Sequence, residues 1–171
     1  MNPVNATPEY LQKPLPNDPS DIDYLAKISV VTEKPLDRLL LEDAVRSSSS
    51  GACVTFAGVV RDHDPDAPGT VSRLEYSAHP EATDYLQHII AEANQTHAHP
   101  DDKIAHPIRV AAAHRIGSLG IGDEALLVAV ASAHRTEAFR TCTEVVERIK
   151  AEVPIWKKQF TSTGEAHWVG I

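Results

Sequence analysis

An α+β domain with a largely antiparallel sheet is the fold class this sequence predicts, on three observations. Strand-like and helix-like segments alternate without a strict βαβ repeat. Short β-branched or alternating runs recur at 52–60, 71–78, 108–114 and 125–131. About three longer segments carry apolar residues at helical spacing, the clearest over 138–153.

Each element has a local cause. Residues 1–24 are rich in Pro, Asn and Asp with no sustained apolar period, and read as a disordered or loosely attached extension. Residues 25–171 then form one domain, which is what a chain of 171 residues affords. A β-branched run at 28–31 suits a first strand. Leu39, Leu40 and Val45 predict a helix over 36–46, with Asp37 near its start and the serines of 47–51 breaking it. Residues 52–60 (ACVTFAGVV) predict a buried strand that runs into Arg61 and a polar loop over 62–69. Leu74 and Tyr76 alternate with Arg73 and Glu75, the pattern of a half-buried strand over 71–78.

A second helix opens at Pro80 and Glu81, with Ala82, Tyr85, Leu86, Ile89, Ile90 and Ala93 as one stripe. A strand at 108–114, a Gly-rich connecting loop at 117–123 and an apolar strand at 125–131 follow. In the last helix Ala138, Phe139, Cys142, Val145, Val146, Ile149 and Val153 fall at steps of one, three and four, and Pro154 ends it. Trp156 and Trp168 bracket a hairpin-like segment around Gly164.

Composition narrows the function. No apolar run approaches the roughly 20 residues that span a bilayer. The N-terminus lacks a secretory pattern, so a cytoplasmic location is expected. Cys53 and Cys142 lie in apolar-patterned segments and read as buried structural thiols. A formal net charge of -8 argues against nucleic-acid binding. Yet between residues 135 and 158 the bases Arg135, Arg140, Arg148, Lys150, Lys157 and Lys158 outnumber the acids Glu137, Glu144, Glu147 and Glu152. A basic region on an acidic protein points to a small anionic ligand. The nine histidines, including His63, His97 and His99, form no compact ligand set at helical spacing. There is no G-x-S-x-G elbow, Walker A lysine or G-x-G-x-x-G.

The bases themselves carry more. Lys150 borders the buried stripe of the last helix, where partial desolvation is expected to favour the neutral amine that proton transfer or nucleophilic attack requires. Lys157 follows Trp156 just beyond Pro154, where the chain turns back toward the helix end. His134 and Arg135 stand where a strand hands over to that helix, beside free backbone N–H groups that favour anions. Arg61 lies at a strand exit.

Four blocks in collinear order, GVVRDHD (58–64), HRIGSLGIGDE (114–124), SAHR (132–135) and KAEVPIWKKQ (150–159), resemble those of the molybdopterin synthase catalytic (large) subunit, the MoaE family. The resemblance covers roughly residues 28 to 169. It implies an α/β-hammerhead fold and a homodimer with a small ubiquitin-like sulfur-carrier subunit at each end, a heterotetramer. It also implies the conversion of cyclic pyranopterin monophosphate, a small pterin, to molybdopterin. In that reaction the carrier's C-terminal glycine thiocarboxylate donates sulfur twice, and neither metal nor organic cofactor is required. The pocket it implies comprises catalytic Lys150 and Lys157 with Arg61, His134, Arg135, Lys158 and Gln159 as binding residues. Two positions depart from the pattern: Val59 stands where a basic residue is common, and Gln159 where an acidic one is. A non-catalytic module binding a phosphate ligand or a ubiquitin-like partner also fits the basic cluster. The presence of Lys150 and Lys157 together favours catalysis, since binding alone tolerates other bases.

Helix length adds a constraint. Arg135 and Lys150 are fifteen positions apart on one helix, about 22 Å along its axis. A lysine's four-carbon stem does not bridge that. Each pocket is therefore expected to combine Arg61, Lys150 and Lys157 of one subunit with His134 and Arg135 of its dimer mate.

Overall fold

The computed structural model describes residues 21–63, 70–94, 107–162 and 166–169. Two four-stranded sheets organise the chain. Sheet A has β1 (Val30–Thr32), β4 (Arg109–Arg115), β6 (Glu124–Ser132) and β2 (Ala52–Val59) in that spatial order. Sheet B has β5 (Gly117–Gly120), β3 (Val71–Ala78), β7 (Ile155–Thr161) and β8 (Ala166–Val169) in order. Among the described residues every strand pairing is antiparallel except β1 with β4. The α+β expectation holds.

Helices α1 (Asp21–Ile28), α2 (Arg38–Val45), α3 (Ala82–Asn94) and α4 (Arg135–Glu152) cover sheet A. Among the described residues four helices stand where about three were expected. The additional one, α1, begins inside the segment read as an extension; residues 1–20, His97, His99, the loop after His63 and Gly164 lie outside the described residues. Leu25 is the reason α1 forms here: it is fully buried against α2 and sheet A, so tertiary packing overrides a weak local pattern.

Strands β4 and β6 are buried on both faces, which explains their continuous apolar sequence. Val110, Ala112, Val128 and Val130 meet α3 and α4 on one side, while Ala111, Ala113, Leu127 and Ala129 meet α1 and α2 on the other. Strand β2 was expected to be buried; it is the edge of sheet A, and Cys53, Phe56 and Val59 are exposed. Cys142 is buried as expected. Several apolar positions at helical spacing also face outward: Tyr85 of α3, Leu39 and Leu40 of α2, and Phe139 of α4, which is 60% exposed. The buried stripe of α4 passes instead through Ala138, Thr141, Cys142, Val145, Val146 and Ile149.

The Gly-rich segment is not a loop but a passage between sheets. Gly117, at φ 84°, lets the chain leave β4 of sheet A and pair as β5 with β3 of sheet B. Gly122, at φ 88°, turns it back into β6. The Asp123 carboxylate accepts from the Gly120 N–H at 3.0 Å and from Arg115 Nη1 at 3.3 Å, which fastens the return. Among the described residues no helix is long and apolar enough to cross a membrane.

Candidate functional site

Two groups of bases occupy opposite ends of sheet A. β2 leaves the sheet where β6 enters it, because Val59 is opposite Glu124 and Ala52 is opposite Ser132. Arg61, just past β2, is exposed at this end, and the backbone around it is pinned to the β5–β6 turn by Val60 N–H to Asp123 O at 3.0 Å and Gly122 N–H to Val60 O at 2.8 Å. At the far end β6 passes through Ser132 and Ala133 to His134, the N-cap of α4. Eight steps of β6 separate the ends, about 27 Å.

α4 then packs back over β6 and β2 and delivers Lys150, in its last turn, to the end where Arg61 stands. Lys150 is exposed, against the expected partial burial, because Ile149 takes the inward position and the next residue is rotated about 100° away. The helix closes with the Val153 N–H on the Ile149 carbonyl at 3.1 Å, and Pro154 hands over at once to β7. The Pro154 carbonyl accepts from the His79 N–H at 3.0 Å, tying this corner to the end of β3.

In β7 the side chains alternate. Lys157 and Gln159 face inward with Tyr76 and Leu74 as cross-strand partners; Trp156, Lys158 and Phe160 face outward. Lys158 thus does not stand beside Lys157. Its ammonium lies 5.4 Å from the Phe160 ring centroid and 5.6 Å from that of Trp168, with Arg73 stacked over Phe160 at 3.8 Å. Gln159 shares the Lys157 face but is only 1% exposed, and its Nε2 has no hydrogen-bond partner among the described residues. It belongs to the floor under the lysine, not to an open surface.

At the far end Arg135 opens α4, and the His134 side chain makes no capping hydrogen bond. The first N–H groups of an 18-residue helix therefore add their dipole to the Arg135 charge. Phe139, one turn on and on the same face as Arg135, supplies an exposed apolar neighbour. This junction depends on Gly51: a Cβ there would lie 2.4 Å from the Ala133 carbonyl oxygen, and the Gly51 N–H donates to the Ser132 carbonyl at 3.0 Å. Gly51 reads in the sequence only as a breaker, since its close approach to Ala133 is non-local.

A family model described as MoaE protein matches residues 31–152. Molybdopterin synthase catalytic subunit 1 of Mycobacterium tuberculosis is 43% identical over 141 residues, 82% of this chain and 88% of that one. The chain belongs to the MoaE family. Among solved structures, molybdopterin synthase from Staphylococcus aureus superposes with a TM-score of 0.71 at 34% identity, over 85% of this chain and 98% of that one. A chain from the complex of subunits 1 and 2 of molybdopterin-converting factor of Helicobacter pylori shares the fold, with a TM-score of 0.63 at 19% identity over 83% of this MoaE-family chain and 90% of its own.

Proposed function

We infer that this chain is the catalytic subunit of a molybdopterin synthase, which moves sulfur from the thiocarboxylated C-terminus of a small ubiquitin-like carrier to cyclic pyranopterin monophosphate and so builds the molybdopterin dithiolene. The observation that carries this reading is the 43% identity to a catalytic subunit over 88% of its length. The residue roles follow from the charges that must meet in the pocket.

Two anions, a cyclic phosphate and a thiocarboxylate, must meet in one pocket, so cations have to hold both. Arg61 and Arg135 suit the phosphate because a guanidinium presents a planar fork of donors, and His134 with the α4 N-terminus adds further donors. Lys150 steadies the thiocarboxylate and serves as general acid/base beside the attacked carbon. Lys157 assists proton transfer and stabilises developing negative charge. Lys158, on the opposite face of β7, and Gln159, beneath Lys157, support the strand that presents that lysine. Sulfur arrives at the sulfide level, so each transfer forms a carbon–sulfur bond at a side-chain carbon of the pterin, breaks the carbon–oxygen bond at that carbon with the oxygen leaving on phosphate or as water, and hydrolyses the carrier's acyl–sulfur bond; no oxidant or reductant is needed.

The pocket is shared across a two-fold dimer. The separations support this: about 22 Å along α4 parts Arg135 from Lys150, and about 27 Å along β6 parts His134 from Arg61, within one chain. The exposed Phe139 beside Arg135, and Phe56 and Val59 on the β2 edge, supply apolar surface for such an interface. The test is an assay with cyclic pyranopterin monophosphate and a thiocarboxylated carrier. Dithiolene product is expected; its absence with a folded dimer sinks the catalytic reading in favour of a binding scaffold.

A further inference from the structure

The inner face of sheet B carries an apolar cluster toward each end of β3. At one end Val71, Leu74 and Leu119 pack with Val60 and Ala125. At the other, Ala78 and Ile155 pack against the core between sheet A and helices α3 and α4. Where the two clusters meet, Tyr76 of β3, packed on the first of them, stands opposite Lys157 of β7. Residues directly opposed on one face have Cβ atoms about 4.5–5.5 Å apart, which puts the phenol ring within reach of the lysine stem.

The ring is itself held from the other sheet. His114 of β4 meets Tyr76 edge-to-face, with centroids 5.2 Å apart and planes at 75°. The His114 ring is fixed in turn: its Nδ1–H donates to the Arg115 carbonyl at 2.9 Å. Burial pushes its pKa down to about 4 and pushes the Tyr76 phenol up, so both rings are uncharged at neutral pH. An orienting wall that brings no charge of its own is what a lysine in a proton-transfer role needs.

We propose that Tyr76 is a positioning residue for Lys157, its ring setting the path of the lysine stem, and that His114 locks that ring from the opposite sheet. The proposal rests on Lys157 acting in sulfur transfer, and its test separates the two claims. Lys158 is a built-in control, since it is the next residue but faces outward under Trp168 and Phe160.

Trace acylation of the full chain followed by peptide mass spectrometry reads the relative amine reactivity of Lys157 and Lys158. In Tyr76→Leu the Lys157-to-Lys158 ratio shifts by about threefold or more, while Tyr76→Phe, which keeps the ring, leaves it near wild type. In the synthase assay Tyr76→Leu lowers kcat about tenfold with KM for the pterin little changed, and Tyr76→Phe restores it. An unchanged labelling ratio in Tyr76→Leu overturns the proposal, and so does an equal shift in Tyr76→Phe. A shifted ratio with unchanged turnover upholds the positioning and removes Lys157 from the chemistry. Should Tyr76→Leu lose its native circular dichroism, His114→Leu carries the same labelling test with the same two outcomes.

Discussion

The two ends of α4 present basic groups by different means. At the N-terminal end His134 and Arg135 sit on the helix's own positive pole, so charge and backbone dipole pull on an anion together. Glu137, the acid of that first turn, is buried. At the C-terminal end Lys150 lies at the negative pole, Arg61 on a strand exit and Lys157 on the inner face of another sheet. These bases come from three different elements, and none of the three is a helix N-terminus. The contrast divides the labour: the N-terminal end, joined by Arg61 of the mate, suits holding a phosphate, and Lys150 with Lys157 suits moving protons around a reacting carbon.

Splitting the ends between chains gives the largest effect. Lys150→Ala and Arg135→Ala homodimers should each lose about 100-fold or more in kcat/KM. Mixing and re-equilibrating them should restore about a quarter of wild-type turnover, because half the dimers are mixed and each mixed dimer keeps one intact pocket. A mixture no more active than its parents removes the shared site.

Acid should loosen the lysine end. His114 is neutral in the folded chain, with a pKa of about 4 against an ordinary 6.5. The unfolded chain therefore binds the extra proton between those values, and the stability His114 contributes is complete above about pH 6.5 and lost as pH falls toward 4. The loss is on the order of 2–3 kcal/mol. Urea midpoints measured from pH 7 to 4.5 should fall more steeply for wild type than for His114→Gln; parallel slopes would contradict a buried neutral imidazole.

Gly51→Ala tests the phosphate end alone. The Ala133 carbonyl must move to admit a Cβ, costing about 1–3 kcal/mol. The KM for the pterin should rise through displaced His134 and Arg135, while the acylation rate of Lys157 stays constant. A change confined to Lys157 would mean the ends are not independent. The smallest effect belongs to Lys158→Ala, whose ammonium lies over two outward-facing rings: turnover should stay within about twofold, because exposed cation–π contacts are weak.

Much of this was legible from residues alone. The alternation at 71–78 matches β3 end for end, and Pro154 marks the helix stop to within two residues. Fifteen helical positions were enough to part Arg135 from Lys150. What escaped is non-local. Leu39, Leu40, Tyr85 and Phe139 satisfy helical spacing yet face outward, because periodicity fixes a stripe's width only after its partners are known. The 117–123 segment looks like a loop because its glycines serve two sheet crossings with four residues between them. His114 lies inside a recognisable block and Tyr76 inside a recognisable strand, but their contact joins two sheets and has no trace in local pattern.

The handover from α4 to β7 passes through Val153 and Pro154 alone, so the phase of β7 is set by a very short count of residues. A strand advanced by one residue would carry Lys158 inward in place of Lys157. A one-residue deletion in the link would put Lys158 where Lys157 stands but would also turn Phe160 inward and Gln159 outward, and a one-residue insertion would put Trp156 there instead, so the length of this two-residue link decides which side chain enters the site.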